Sequence, residues 1–97
     1  VHMSTGRDVI LLEDDPLVSM VVEDQLLDAG YALAGSFSSV RETLTWLAAH
    51  TPDCAVLDVN VTDGTSEAVA LHLANRGIPY VVMSGYPPEI AGQELPR

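Results

Sequence analysis

The feature that most narrows the possible folds is a run of four apolar residues, Val9-Ile10-Leu11-Leu12, that stops at Glu13-Asp14-Asp15. A strand with one wet face alternates polar and apolar residues. A short run without alternation reads instead as a strand buried on both faces, as in parallel sheets. The pattern recurs twice. Cys54-Ala55-Val56-Leu57-Asp58-Val59 is apolar until it meets an acid, and Tyr80-Val81-Val82-Met83 runs into Ser84-Gly85. Between the first two lies Tyr31 to Phe37, part-alternating and rich in small residues, which reads as a further strand.

The intervening segments carry helix signals. Pro16 suits a first helical position with Asp15 as N-cap. Leu17, Val21 and Leu26-Leu27 supply an apolar stripe, and Gly30 ends the helix. Ser39 followed three residues later by Glu42 has the capping-box pattern. Val40, Leu44 and Leu47 recur behind it at helical spacing, until Thr51-Pro52-Asp53 breaks the helix. Thr62-Asp63-Gly64-Thr65 reads as a loop. Thr65 or Ser66 then caps a third helix reaching about Asn75, with Gly77 beyond it. Ser84 to Pro88 reads as a turn, and Glu89 to Arg97 gives no clear element. The order β-α-β-α-β-α-β implies parallel pairing, right-handed crossovers and helices on both faces of the sheet.

With 97 residues, the chain has room for one domain and one core. Val1-His2-Met3 reads as an expression scar. Residues 1–8 are therefore taken as a lead-in and residues 9–97 as the domain. The apolar fraction of 47% favours a globular chain, yet no apolar run is long enough to span a membrane. A formal charge of −10, with four arginines and no lysine, opposes contact with nucleic acid or an anionic membrane surface. The lone Cys54 cannot form an internal disulfide and reads as a small core residue. With no visible export signal, the expected compartment is cytoplasmic.

In an open parallel sheet, ligands gather beyond the carboxyl ends of the strands. That rule brings Glu13, Asp14, Asp58 and Ser84 to one edge. Carboxylates about 5 Å apart repel by roughly 3 kcal/mol per pair at an effective dielectric near 20. A hard divalent cation relieves that repulsion, and oxygen ligands beside a phosphate favour Mg2+. Asp15 reads as a helix cap and Asp63 as a turn residue. His50 and His72 fall in predicted helices without a partner at metal-ligand spacing, and Met20 and Met83 read as core.

These segments resemble response-regulator receiver domains over roughly residues 9–88. Ile10 to Pro16 looks like the family's first strand and acidic pair. Val56 to Gly64 looks like the phosphorylation segment, and Gly77 to Tyr86 like the fourth strand with its switch hydroxyl. The resemblance implies a flavodoxin-like, doubly wound α/β fold with strand order 2-1-3-4-5. It also implies specific roles. Asp58 is the phosphoacceptor, fed by a sensor histidine kinase or a histidine phosphotransfer protein. Glu13, Asp14, Asp58 and the backbone carbonyl of Asn60 hold Mg2+, and Ser84 is the switch hydroxyl. Such a domain relays a signal and is not an enzyme.

The sequence departs from the family at its far end. The family's invariant lysine and switch aromatic lie in and after a fifth strand. This chain has no lysine, and beside the family it reads as C-terminally truncated, a receiver domain incomplete at its C-terminus with the fifth strand and helix missing from this chain. Loss of that strand would bare the edge of the fourth, so a homodimer or swapped assembly is expected. Two other readings stand beside the phosphoacceptor. One is a degenerate receiver that binds a partner without phosphate. The other is a fragment of an aspartate-nucleophile phosphohydrolase, disfavoured by Asn60 where a second acid belongs and by the absence of lysine. Calorimetric titration with magnesium tests the ligand assignment. Asp14→Ala is expected to bind more weakly than the parent chain, and equal binding would remove Asp14 from the set.

Overall fold

In a computed structural model, the chain is described over residues 6–84 and 89–91, with 84 and 89–91 described by their backbone. The expected strands and helices form, with β1 (Asp8–Leu12), α1 (Pro16–Asp28), β2 (Ala32–Phe37), α2 (Val40–Leu47) and β3 (Cys54–Asp58) in order. They are followed by two short strands, β4 (Asn60–Val61) and β5 (Gly64–Thr65), then α3 (Glu67–Asn75), β6 (Tyr80–Ser84) and β7 (Glu89–Ala91).

The main sheet has the order β2-β1-β3-β6-β7. Its first four strands are parallel. This is the doubly wound α/β arrangement expected from the sequence, with β6 as the fourth long strand. Alternate residues of the buried strands serve opposite faces. Val9 and Leu11 of β1 join Cys54, Val56, Val81 and Met83 in a cluster with Val22 and Leu26 of α1. Ile10 and Leu12 join Ala55 and Leu57 in a second cluster with Leu47 of α2 and Val69 and Leu73 of α3. Helices cover both faces, so β1 over Val9–Leu12 and β3 over Cys54–Leu57 are apolar without alternation.

Three expectations need correction here. In α1 the Asp15 carboxylate accepts from the N–H groups of Leu17 (2.9 Å) and Val18 (3.3 Å). With this cap and Pro16 fixing the helix, Val18, Val22 and Leu26 face the sheet. Leu17, Met20, Val21 and Leu27 point outward, so the stripe runs through a different set and Met20 is not core. His50 lies beyond α2, where its ring stacks on Trp46 with centroids 4.5 Å apart. Ser66 sits at the N-cap of α3 without a side-chain capping bond. Its hydroxyl is turned toward the carbonyl of Val59 instead.

The far edge also differs. Residues after Ser84 were expected to form no element and to leave the fourth strand bare. Instead, β7 pairs antiparallel with β6 in the fifth position, with Val82 opposite Ala91 and Ser84 opposite Glu89. Only four residues separate β6 from β7. A parallel neighbour needs a crossover of roughly a dozen residues, so a strand this close can return only antiparallel. The expected self-association through a bare β6 edge therefore loses its premise over Val82–Ser84. Gly85 to Pro88 and Arg97 lie outside the described residues, as do Val1 to Met3, the stretch expected to be an expression scar. Among the described residues, no helix is long and apolar enough to cross a membrane.

Leu73 is fully buried on α3, and Leu71 on the same helix is 62% exposed. Leu73→Ala is expected to lower unfolding free energy by about 2–5 kcal/mol, and Leu71→Ala by less than about 0.5 kcal/mol. Urea denaturation of the two variants tests this assignment of faces.

Candidate functional site

The sheet carries the ends of β1 and β3 to the same edge, because the two strands are paired from Val9↔Cys54 to Leu12↔Leu57. Glu13 and Asp14 follow directly after Leu12, and Asp58 follows directly after Leu57. The backbone N–H of Glu13 donates to Phe37 O at 2.9 Å and so extends the β1–β2 ladder by one residue. Glu13 is thereby held in the protein rather than at a free loop tip. One carboxylate oxygen from each of Glu13, Asp14 and Asp58 lies within 4.8 Å of the other two.

The three acids are not equivalent. Glu13 is only 6% exposed. Its Oε1 accepts from the Asp15 N–H at 2.8 Å. Burial is the largest influence on its carboxyl, followed by that Asp15 bond, which acts in the opposite sense. Asp58 and Asp14 add like charge. The net result raises it from an ordinary 4.5 to about 7. Asp58 is half-buried, and its Oδ1 accepts from the N–H of Val59 at 2.9 Å. Asp15 turns away to cap α1, as expected.

Asn60 opens β4, side chain exposed, two residues past Asp58 and opposite Thr65 in the small hairpin. Met83 is the register partner of Asp58, so Ser84 stands one residue beyond the phosphoacceptor candidate on the neighbouring strand. Its hydroxyl lies outside the described side chains. Cys54 is fully buried on the α1 side. Burial and the nearby Asp53 push its thiol up to about 11, which keeps it protonated and unreactive.

A magnesium ion binds oxygen at about 2.0–2.1 Å, so two oxygens on opposite sides of one ion are about 4 Å apart. Three carboxylate oxygens within 4.8 Å need only a small contraction to share one. Burial does most to raise Glu13, and the like charge of Asp58 and Asp14 that adds to it is what a cation would relieve. The donor set therefore fits a hard divalent ion.

Two residues with a part in the surroundings of this site were missed. Asp63, expected as a turn residue, places Oδ1 on the N–H of Val40 (2.7 Å) and Oδ2 on that of Arg41 (3.0 Å). Those bonds hold its carboxyl below the usual carboxylate range. Thr62 donates its hydroxyl to Ser38 O at 2.9 Å. No local signal marks either contact, since each partner is more than twenty residues away.

No family model matches the chain. Among curated proteins, the transcriptional regulatory protein PdtaR of Mycobacterium tuberculosis is 27% identical over 81 residues. The match takes in 82% of this chain, which spans about two fifths (40%) of that relative. Among solved structures, the anti-anti-sigma factor PhyR of Bartonella quintana, in complex with the anti-sigma factor NepR, superposes with a TM-score of 0.76 at 22% identity. That match covers 95% of this chain and 43% of PhyR, and it bears on the fold. SdrG of Sphingomonas melonis is 36% identical with a TM-score of 0.73, over 82% of this chain and 69% of SdrG. The chain belongs to the response-regulator receiver family. The receiver's parallel sheet is the one these relatives share, and SdrG has also been solved in a BeF3-activated conformation.

The raised carboxyl of Glu13 has a thermodynamic consequence. Between about 4.5 and about 7 the folded receiver holds a proton that the unfolded chain has released. Stability contributed by this group is therefore lost as pH rises through that window. Urea midpoints of the parent chain are expected to fall relative to those of Glu13→Gln as pH rises across the window, and saturating magnesium to restore them. A difference between the two chains that stays constant with pH would contradict the assignment.

Proposed function

We propose that this receiver accepts a phosphoryl group on Asp58 from a phosphohistidine of a sensor kinase or phosphotransfer protein. The observation that carries the reading is the convergence of Glu13, Asp14 and half-buried Asp58 at the carboxyl edge of the parallel sheet. In the transfer, a carboxylate oxygen of Asp58 forms a bond to phosphorus as the bond from phosphorus to the donor imidazole nitrogen breaks. That nitrogen keeps the electron pair and takes up a proton. The product is an acyl phosphate, held one-to-one on the protein, so the chain is an acceptor and not a turnover enzyme.

Glu13, Asp14, Asp58 and the backbone carbonyl of Asn60 would hold magnesium, which supplies neutralisation of the phosphoryl oxygens' charge. Asp58 is the nucleophile, and the fixed sheet edge presents it. Ser84, next to it on β6, is placed to meet a phosphoryl oxygen and is the switch residue in this reading. SdrG offers support from outside the chain. Trifluoroberyllate is tetrahedral and anionic like a phosphoryl group on a carboxylate, and it activates that relative.

The donor needs a surface beside the pocket. Leu17, Met20 and Val21 are exposed on the first turns of α1, immediately after Asp14. An apolar patch at that place gives a helical partner something to rest on while its histidine reaches Asp58. A kinase of this kind works in the cytoplasm, where this chain would meet it.

A second reading is favoured by one comparison: PhyR, solved in complex with the anti-sigma factor NepR, is a receiver-containing protein that acts by binding, and this domain would likewise serve as a protein-binding module independent of phosphate. Intact-mass measurement after incubation with a small acyl-phosphate donor and magnesium separates the two. The expected result is a single acid-labile phosphate adduct on the parent chain and none on Asp58→Asn. Absence of adduct from both would favour the binding module, and an adduct on both would move the acceptor to another residue.

A further inference from the structure

The loop that follows Asp58 has little to hold it. Strands β4 and β5 have two residues each, and an isolated hairpin of that size is not stable in water. Within Asn60–Thr65 only Val61 is buried. Gly64, at φ 133°, makes the turn in a conformation that side chains rarely adopt. The position of this loop therefore depends on its tethers. Val59 O accepts from the N–H of Ser66 at 3.0 Å, and Thr62 bonds Ser38 O. The strongest tether is the carboxylate of Asp63, which takes two backbone N–H groups at the start of α2 as charge-assisted hydrogen bonds.

A cap for α2 alone would not need this residue. Ser39 already occupies the N-cap and accepts from the N–H of Glu42 at 3.1 Å, and the N–H of Thr43 is taken by Ser39 O. Asp63 satisfies the remaining two, Val40 and Arg41, and it does so from a distance of 23 and 22 residues. The negative carboxylate meets the positive end of the helix dipole. One end of this tether is a helix packed on the core through Leu47. The other is the loop that begins at the residue after Asp58 and includes Asn60.

We propose that Asp63 is a positioning residue for the acidic pocket: by anchoring the Asn60–Thr65 hairpin to the start of α2, it holds Asn60 in register with Asp58. The inference rests on the reading of Glu13, Asp14 and Asp58 as a magnesium-dependent phosphoacceptor site, and it assigns to that site a residue that touches neither the metal nor the phosphoryl group.

The test compares magnesium affinity by calorimetry in the parent chain, Asp63→Ala, Asp63→Asn, Arg76→Gln and Asp14→Ala, each verified as folded by circular dichroism at the assay temperature. Arg76 is the control for a merely structural role, because its guanidinium bonds Leu47 O at 3.0 Å and so grips the opposite end of the same helix. Removal of outer contacts of this kind weakens metal binding by roughly tenfold or more. The expected result is a dissociation constant raised about tenfold in Asp63→Ala, with an intermediate value in Asp63→Asn, which keeps one acceptor oxygen. Arg76→Gln is expected to match the parent. Amide exchange at Val59 and Asn60 should quicken in Asp63→Ala alone. If Asp63→Ala does not fold, Asp63→Asn carries the comparison. An affinity in the Asp63 variants equal to the parent's overturns the proposal, as does an equal loss in Arg76→Gln, which would mark general loosening of α2. Failure of the underlying reading has its own signature: the parent and Asp14→Ala then bind magnesium alike, and the pocket and its positioning residue fall together.

Discussion

Carboxylates crowded at the end of a buried strand repel each other. Everything distinctive about this receiver follows from the fact that its sheet enforces such crowding. Val9, Ile10, Leu11 and Leu12 are fully buried between two other strands and two layers of helix. Cys54 to Leu57 are equally inaccessible beside them. Two strands locked in this way cannot slide to separate the acids at their ends, since a slip of one residue would turn each apolar side chain to the wrong layer. The repulsion is therefore retained in the folded state. Together with burial, which is the larger cause, it raises the carboxyl of a glutamate, which holds its proton to about 7. The hydrophobic core supplies the free energy that keeps the charges together, and under the proposed function those charges would draw a cation and then a phosphoryl group to the edge.

The parts that could be read directly from the sequence are those governed by local periodicity. The unbroken apolar runs identified β1, β3 and β6 and their parallel pairing, and the acids that follow the runs of β1 and β3 pointed to one edge. Asp15 and Pro16 announced the start of α1 one residue apart, and Ser39 announced that of α2. The rotation of α1 was harder to read. That helix is apolar on both sides, so its composition does not distinguish Val18, Val22 and Leu26, which pack inward, from Leu17, Met20 and Val21, which do not. An apolar outer face is a surface property, and nothing in the spacing separates it from a core-facing one.

Other features were hidden because their causes are non-local. β7 has only three residues and no strong strand signal, and it forms because β6 offers an open row of backbone groups within a short reach. The role of Asp63 depends on the N-terminus of a helix more than twenty residues earlier. An Asp-Gly pair reads locally as a turn, which it is, and the long-range bond is an addition that the turn makes possible. The candidate site therefore divides in two. The acids at strand ends follow from pattern, whereas the parts that hold the following loop follow from topology.

α2 has eight residues, too few to be helical by itself in water. Its first two N–H groups, those of Val40 and Arg41, are met by Asp63 and its terminal carbonyl at Leu47 by Arg76, both supplied by chain that comes later. Arg76 also reaches His50 O and Thr51, and so ties down the turn that leaves the helix. During synthesis, then, α2 emerges from the ribosome well before the charges that brace its two ends. The segment from Val40 to Leu47 gains both end braces only once the chain has been made as far as Arg76. One half of the sheet's cover is thus completed late, by a clasp that closes from the carboxyl-terminal side.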